Sequence, residues 1–185
     1  ETESKIVSFE PLEKAFQELK KIESQNPSRL KVFNNAIGEK NEILELNYSN
    51  DMSEKASFTK HLDKLSFYEF HKNKKIKKNI LSLDSFVKEN LDIFNVKEID
   101  LIKIDTEGFE LEVLKGAQET IKKMSPKYVQ LEFNWHQLFK NHSMYQFSQH
   151  LINYELFQIL PFGEKLAKVD PIRPETNIFH LSNFV

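Results

Sequence analysis

The sequence predicts an α/β fold, a mostly parallel sheet with helices on both faces, and three observations predict it. Short strand-like apolar runs alternate with segments whose apolar residues recur every three or four positions, the pattern of βα units. Acids and amides gather where the strand-like runs end, at the edge where open α/β sheets bind ligands. The last two strand-like runs have no helix between them, so they should form an antiparallel hairpin at the sheet edge.

Lys5 to Pro11 reads as a short buried strand, ended by Glu10 and a proline. Leu12, Phe16, Leu19 and Ile22 then mark an amphipathic helix through Ser24, with Pro11 in its first turn. Asn26-Pro27-Ser28 breaks it, and Leu30 to Ile37 is a second strand closed by Gly38. Glu42 to Tyr48 suits an antiparallel excursion, Asp51 to His61 a loop, and the basic run Lys72 to Lys78 a solvated loop before a strand entering Ile80-Leu81. A helix follows through Asn90, with Ser82 or Asp84 as its N-cap. Ile99 to Ile104 is a buried strand, Asp105 to Gly108 a turn, and Phe109 to Lys123 one helix stopped by Pro126. Lys127 to Phe133 is the next strand, Met144 to Asn153 a helix, and Leu156 to Leu160 and Thr176 to Leu181 the closing hairpin.

At 185 residues the chain fits one domain, spanning 1–185, with room for a real core. Its net charge of -2 gives no global pull toward nucleic acid or an anionic membrane. The absence of cysteine excludes disulfides and thiolate catalysis and suits a reducing cytoplasm, the expected location. No apolar run approaches the roughly 18 residues a membrane span needs. Only 4 glycines are present, and the chain begins at Glu1 rather than Met. A nucleotide-binding α/β domain needs a glycine-rich turn after its first strand, so the chain is expected to start downstream of that turn.

The strand-end rule selects four places. Glu10 can accept ribose hydroxyls or be an exposed turn acid. Within Asn34-Asn35-Ala36, an amide can read a purine edge or merely satisfy the turn backbone. Asp105, Glu107 and Glu110 fall within six positions, more acids than helix capping requires. Gly108 beside them suggests close backbone approach or a positive φ. Glu132, at the fourth strand end, is costly to bury unpaired and should face a partner or the cleft. His136 can take a hydroxyl proton, although a lone surface histidine is the plainer reading.

The run Ile99 to Ala117 resembles the FkbM-type methyltransferases. Their signature is an apolar strand, Lys-Ile-Asp-x-Glu-Gly-x-Glu, and a helix running into Leu-Lys-Gly-Ala. Lys103, Asp105, Glu107, Gly108, Glu110 and Leu114 to Ala117 all match. Phe9-Glu10-Pro11 resembles the family's Phe-Glu-Pro, Asn35-Ala36-Ile37-Gly38 its adenine region, and Leu83-Asp84-Ser85-Phe86 its segment before the signature strand. The family's Asp-x-Gly-Ala-Asn-x-Gly loop has no counterpart here.

The resemblance implies a Rossmann-like class I methyltransferase, with a seven-stranded sheet ordered 3-2-1-4-5-7-6 and its last-numbered strand antiparallel. The strand near Val7 would be the second, that near Val32 the third, and Ile99 to Ile104 the fourth. It further implies S-adenosylmethionine as cofactor, bound by Glu10, Asn35, Ala36 and Asp105, and methyl transfer to a hydroxyl of a sugar or small metabolite. Asp105 and His136 are the candidate proton acceptors. Glu107 completes the catalytic set, serving the helix N-terminus or orienting a neighbour. No metal enters this reading. A magnesium-assisted enzyme using Asp105 and its neighbouring acids, and a silent module binding a nucleotide or a partner protein, stand as competitors. A homodimer formed through sheet edges or helices is left open.

Overall fold

Strand and helix alternate in the computed structural model, which describes residues 4–50, 52, 55–60, 74–90, 93, 97–161 and 165–185. Strand β1 (Ile6–Phe9) pairs in parallel with β2 (Leu30–Phe33), joined by helix α1 (Glu13–Gln25). Pro11 precedes Leu12, the N-cap of α1, so it lies just outside the helix rather than in its first turn.

The single strand expected over Leu30 to Ile37 is two. The chain turns at Asn34-Asn35, and β3 (Ala36–Gly38) leaves β2 to pair in parallel with β5 (Lys74–Ser82). β4 (Glu42–Tyr48) is the expected antiparallel excursion, in register with β5 from Glu42 opposite Ile80 to Tyr48 opposite Lys74. This corrects the loop reading of the basic run. Lys74 to Lys78 belong to β5, while 72 and 73 lie outside the described residues. The strand's period of two sends Lys75, Lys77 and Asn79 to solvent and turns Ile76, Lys78 and Ile80 inward. Ser82 caps helix α2 (Leu83–Glu89) by accepting from the Ser85 amide at 3.1 Å.

β6 (Leu101–Ile104) and β7 (Tyr128–Phe133) pair in parallel, with a helical crossover between them. The crossover is two helices, α3 (Glu110–Lys115) and α4 (Gln118–Met124), not one. Gly116 breaks it because the chain passes hard against β3. A Cβ on Gly116 would stand 1.9 Å from the Gly38 carbonyl oxygen. α4 is then capped from a distance, its Glu119 and Thr120 amides donating to the Asp84 carboxylate at 3.1 and 2.7 Å.

After β7 come α5 (His136–Lys140), which the sequence pattern does not announce, and α6 (Met144–Ser148), shorter than the expected Met144 to Asn153. α6 carries a capping box between Ser143 and Gln146. β8 (Phe157–Ile159) and β9 (Leu166–Lys168) form a hairpin, and β10 (Ser182–Phe184) closes the fold. The expected final strand at Thr176 to Leu181 is displaced. Asn177 donates to the carbonyls of Pro171 and Arg173 at 2.9 Å, locking Pro174–Asn177 into a 3-10 turn. β10 is also no edge strand, because it runs antiparallel between β7 and β8 in the order β6-β7-β10-β8-β9.

The described residues therefore form a mixed α/β fold of three sheets rather than one seven-stranded sheet. Among the described residues β1 and β6 each have one partner, and their expected burial is incomplete, with Ile6 55% and Leu101 50% exposed. The main core lies where α3, α4 and α6 cover β6 and β7, around Ile104, Leu114, Leu131, Phe133 and Phe147.

Candidate active site

Ile104 is buried and ends β6 in the core, so the next residue emerges at the carboxyl edge of the sheet. Asp105 is exposed there, and Lys103 pairs with it at 2.9 Å. The chain then makes a left-handed turn, with φ 51 at Glu107 and φ 98 at Gly108. Such backbone at a residue other than glycine costs on the order of 1–3 kcal/mol and persists only where neighbours enforce it.

The enforcement is visible. Glu110 is wholly buried, and its carboxylate accepts from the Thr106 amide (3.0 Å), the Thr106 hydroxyl (3.1 Å) and the Gly108 amide (3.1 Å). Gln137, also wholly buried, donates to the same carboxylate from α5. Burial pushes the Glu110 carboxyl up, while the bonds from the Gly108 and Thr106 amides and the Thr106 hydroxyl oppose the shift. From the segment after β4, the Ser57 hydroxyl donates to the Glu107 carbonyl and the Thr59 hydroxyl approaches it at 3.5 Å. Gly108 is required on two counts. Its φ is positive, and a Cβ there would meet Thr59 Oγ1 at 2.5 Å and His136 Cβ at 2.6 Å.

Glu107 does not cap α3. Its Oε2 lies 3.2 Å from Nε2 of His136. His136 is fully buried, which overturns the surface-histidine reading, and its ring stacks on Trp135 at 3.7 Å. Glu132, at the end of β7, accepts from Asn134 Nδ2 at 2.7 Å, and Asn134 Oδ1 accepts from the His136 amide at 2.9 Å. Burial, followed by the charges of Glu107, Asp105 and Glu110, pushes the Glu132 carboxyl up to about 7. Oxygens of Asp105, Glu107 and Glu132 lie within 4.8 Å of one another, close enough to share a cation of the kind carboxylates hold.

A second patch lies at the ends of β1 and β2. Glu10 is half-buried, and one of its oxygens accepts from the Leu12 amide at 2.7 Å. Burial raises its carboxyl above the usual range, against the Leu12 bond and the charge of Lys78. Asn34 is committed within the protein, donating to Glu13 and accepting from Lys78 Nζ at 3.3 Å. Asn35 is half-buried and makes no side-chain hydrogen bond among the described residues, while Ala36 is buried at the start of β3. The sequence shows Glu110 as one of three clustered acids but offers no sign of the parts taken by Ser57, Thr59, Gln137 and Lys78. A cleft of about 820 Å³, lined by Ile121, Tyr128, Leu151 and Val185 among others, sits at the opposite end of β7 and holds none of the candidate residues.

A family model described as "Methyltransferase FkbM domain" matches residues 1–158. The chain belongs to the FkbM methyltransferase family. The crystal structure of methyltransferase FkbM from Methylobacillus flagellatus KT is similar at 16% identity and a TM-score of 0.49, over 98% of this chain and 36% of that one. The chain thus spans about a third of that protein's length, 36%. No curated protein matches it. In this FkbM domain the family signature and the over-determined turn are the same residues, Asp105 to Glu110. No helix among the described residues is long and apolar enough to cross a membrane.

Proposed function

We propose that this methyltransferase moves the methyl group of S-adenosylmethionine to a hydroxyl of a sugar or small metabolite, in a cytoplasmic setting that the cysteine-free sequence accommodates. The observation that carries the reading is the rigid acidic turn, where backbone strain at Glu107 is held by Ser57, Thr59 and Glu110 at the sheet edge that binds ligands. The residues present fit the adenosine end of the cofactor. Glu10 uses one oxygen on Leu12 and has the other for ribose hydroxyls, and Asn35 makes no side-chain hydrogen bond among the described residues. The bound cofactor supplies a methyl already activated by its sulfonium charge.

What the chain adds is position and a proton acceptor. Holding the hydroxyl in line with the methyl can supply roughly 7–11 kcal/mol of the barrier. Asp105 is exposed and Glu107 partly so, which lets either carboxylate accept the hydroxyl proton. His136, being buried against Glu107, acts through it by fixing its orientation. Proton removal of this kind contributes on the order of 10²–10⁴ in rate.

The test uses the full-length protein, methyl-labelled cofactor and a panel of hydroxylated sugars and small metabolites. Glu107→Gln should lower kcat while cofactor affinity holds, whereas Asp105→Asn should lower kcat and also weaken cofactor binding, because Asp105 stands in both sets. Glu10→Ala should weaken cofactor binding by roughly 1.5–3 kcal/mol, the worth of a hydrogen bond to a charged group. Cofactor binding without labelled product on any acceptor would reduce the domain to a silent binding module. A second reading, magnesium-assisted transfer, is favoured by the convergence of Asp105, Glu107 and Glu132. Turnover that survives chelation would remove it.

A further inference from the structure

Lys78 stands out among the lysines of β5. Lys74, Lys75 and Lys77 are exposed, whereas Lys78 is half-buried on the inward face between Ile76 and Ile80, the latter 1% exposed. An ammonium on the covered face of a strand loses hydration and needs partners there. Its one hydrogen bond is to Asn34 Oδ1 at 3.3 Å, and it makes no ion pair among the described residues. Three donors and a full charge are therefore spent on a single neutral amide.

We infer that Lys78 is a positioning residue of the cofactor site, clamping the Asn34–Asn35 turn that presents Asn35. The inference rests on the S-adenosylmethionine reading above. Asn34 is gripped at both ends, by Glu13 and by Lys78, so the turn that ends β2 and starts β3 is fixed. Asn35 is thereby left as the amide for a ligand. Glu10 binds ribose best as a carboxylate, and burial works against that state. Among the described groups, Lys78 is the charge that opposes burial at Glu10. The same residues explain why a lysine is tolerated between Ile76 and Ile80 on the inward face of the strand.

The experiment is calorimetric titration of full-length wild type, Lys78→Met, Lys78→Arg, Asn35→Ala and the double variant Asn35→Ala/Lys78→Met with S-adenosylhomocysteine. Lys78→Met should bind about tenfold more weakly than wild type, the scale of one hydrogen bond no longer held in place. Lys78→Arg should keep wild-type affinity. In the Asn35→Ala background, Lys78→Met should change little, since the turn then presents no amide. Should Lys78→Met not fold, Lys78→Gln carries the same comparison. Wild-type affinity in the neutral variant, or an equal loss with and without Asn35, overturns the inference. A wild-type protein that fails to bind the ligand at all overturns the cofactor reading itself, which a null result at Lys78 alone leaves standing.

Discussion

Glu107 occupies a backbone conformation that glycine adopts without penalty, at φ 51. Glutamate there sets its carboxylate beside His136, and the turn is braced by Ser57. Glu107→Gly should therefore melt no lower than Glu107→Gln, as relieved strain offsets the added freedom of the unfolded chain, while both lose turnover. A Glu107→Gly protein that fails to fold would show that the carboxylate holds the turn, rather than the reverse. Asp105 differs, being exposed and, among the described residues, paired only with Lys103. Such a surface pair is worth about 0–1 kcal/mol, so Asp105→Asn should leave melting nearly unchanged and any fall in kcat reports chemistry. Glu132 makes a third case. Its carboxyl stands at about 7 in the folded chain against an ordinary 4.5. Between those values the folded state keeps a proton that the unfolded state releases, so this group's contribution to stability falls as pH rises through that window. Glu132→Gln, measured by denaturant titration in the presence of chelator, should gain roughly 1–3 kcal/mol on wild type in going from pH 5 to pH 8. A difference between the two proteins that stays flat with pH would mean that Glu132 ionises normally.

The break between α3 and α4 shows what an element's sequence does and does not carry. Leu114-Lys115-Gly116-Ala117 is conspicuous, and so is Leu83-Asp84, but nothing local says that they meet. The apolar spacing from Leu111 to Ile121 is helical throughout, which is why one helix is the natural reading. The interruption is tertiary. Gly116 faces the Gly38 carbonyl, the Asp84 amide donates to the Gly116 carbonyl at 2.9 Å, and the Asp84 carboxylate takes the first amides of α4. Those amides would otherwise lack partners, as at any helix start. Asp84→Ala should lower stability by about 1–2 kcal/mol, with Asp84→Asn losing less because its oxygen still accepts. Gly116→Ala should be worse, about 3 kcal/mol by the measure of overpacking, since backbone rather than a pliable side chain is in the way. If both substitutions are silent in denaturant melts, α3 and α4 do not depend on this junction. The β5 reading failed for a similar reason. Five lysines in seven positions look like solvated loop, until pairing with β4 makes one face outer and the other inner.

Across the whole molecule, the pairing of β6 with β7 was legible because both are short strand-like runs rich in apolar residues that flank a helical crossover. The closing strand was not. Ile178 and Leu181 give Thr176 to Leu181 its strand-like pattern, yet they stand 61% and 60% exposed. The strand actually formed, Ser182-Asn183-Phe184, has one apolar residue and no pattern to detect. Its identity comes from its neighbours. β10 fills a slot between β7 and β8, with Phe184 opposite Leu131 and Gln158, and Asn183 opposite Glu132 and Ile159. Phe184 is 3% exposed and meets Phe133 edge-on at 6.2 Å. These three residues thus support the strand that carries Glu132 into the candidate site. Losing them would open two sheet edges at once, the arrangement that invites aggregation, and would empty a core position. Phe184→Ala should cost about 3–5 kcal/mol. Deletion of residues 182–185 should be more severe, giving a chain that aggregates or loses near-ultraviolet circular dichroism. Hydrogen exchange locates the damage in the intermediate Phe184→Ala protein, where the Leu131 and Phe133 amides should lose protection before those of β4 and β5. If the deletion variant instead melts cooperatively near the wild-type temperature, β10 behaves as a dispensable edge, and β7 holds Glu132 in place without it.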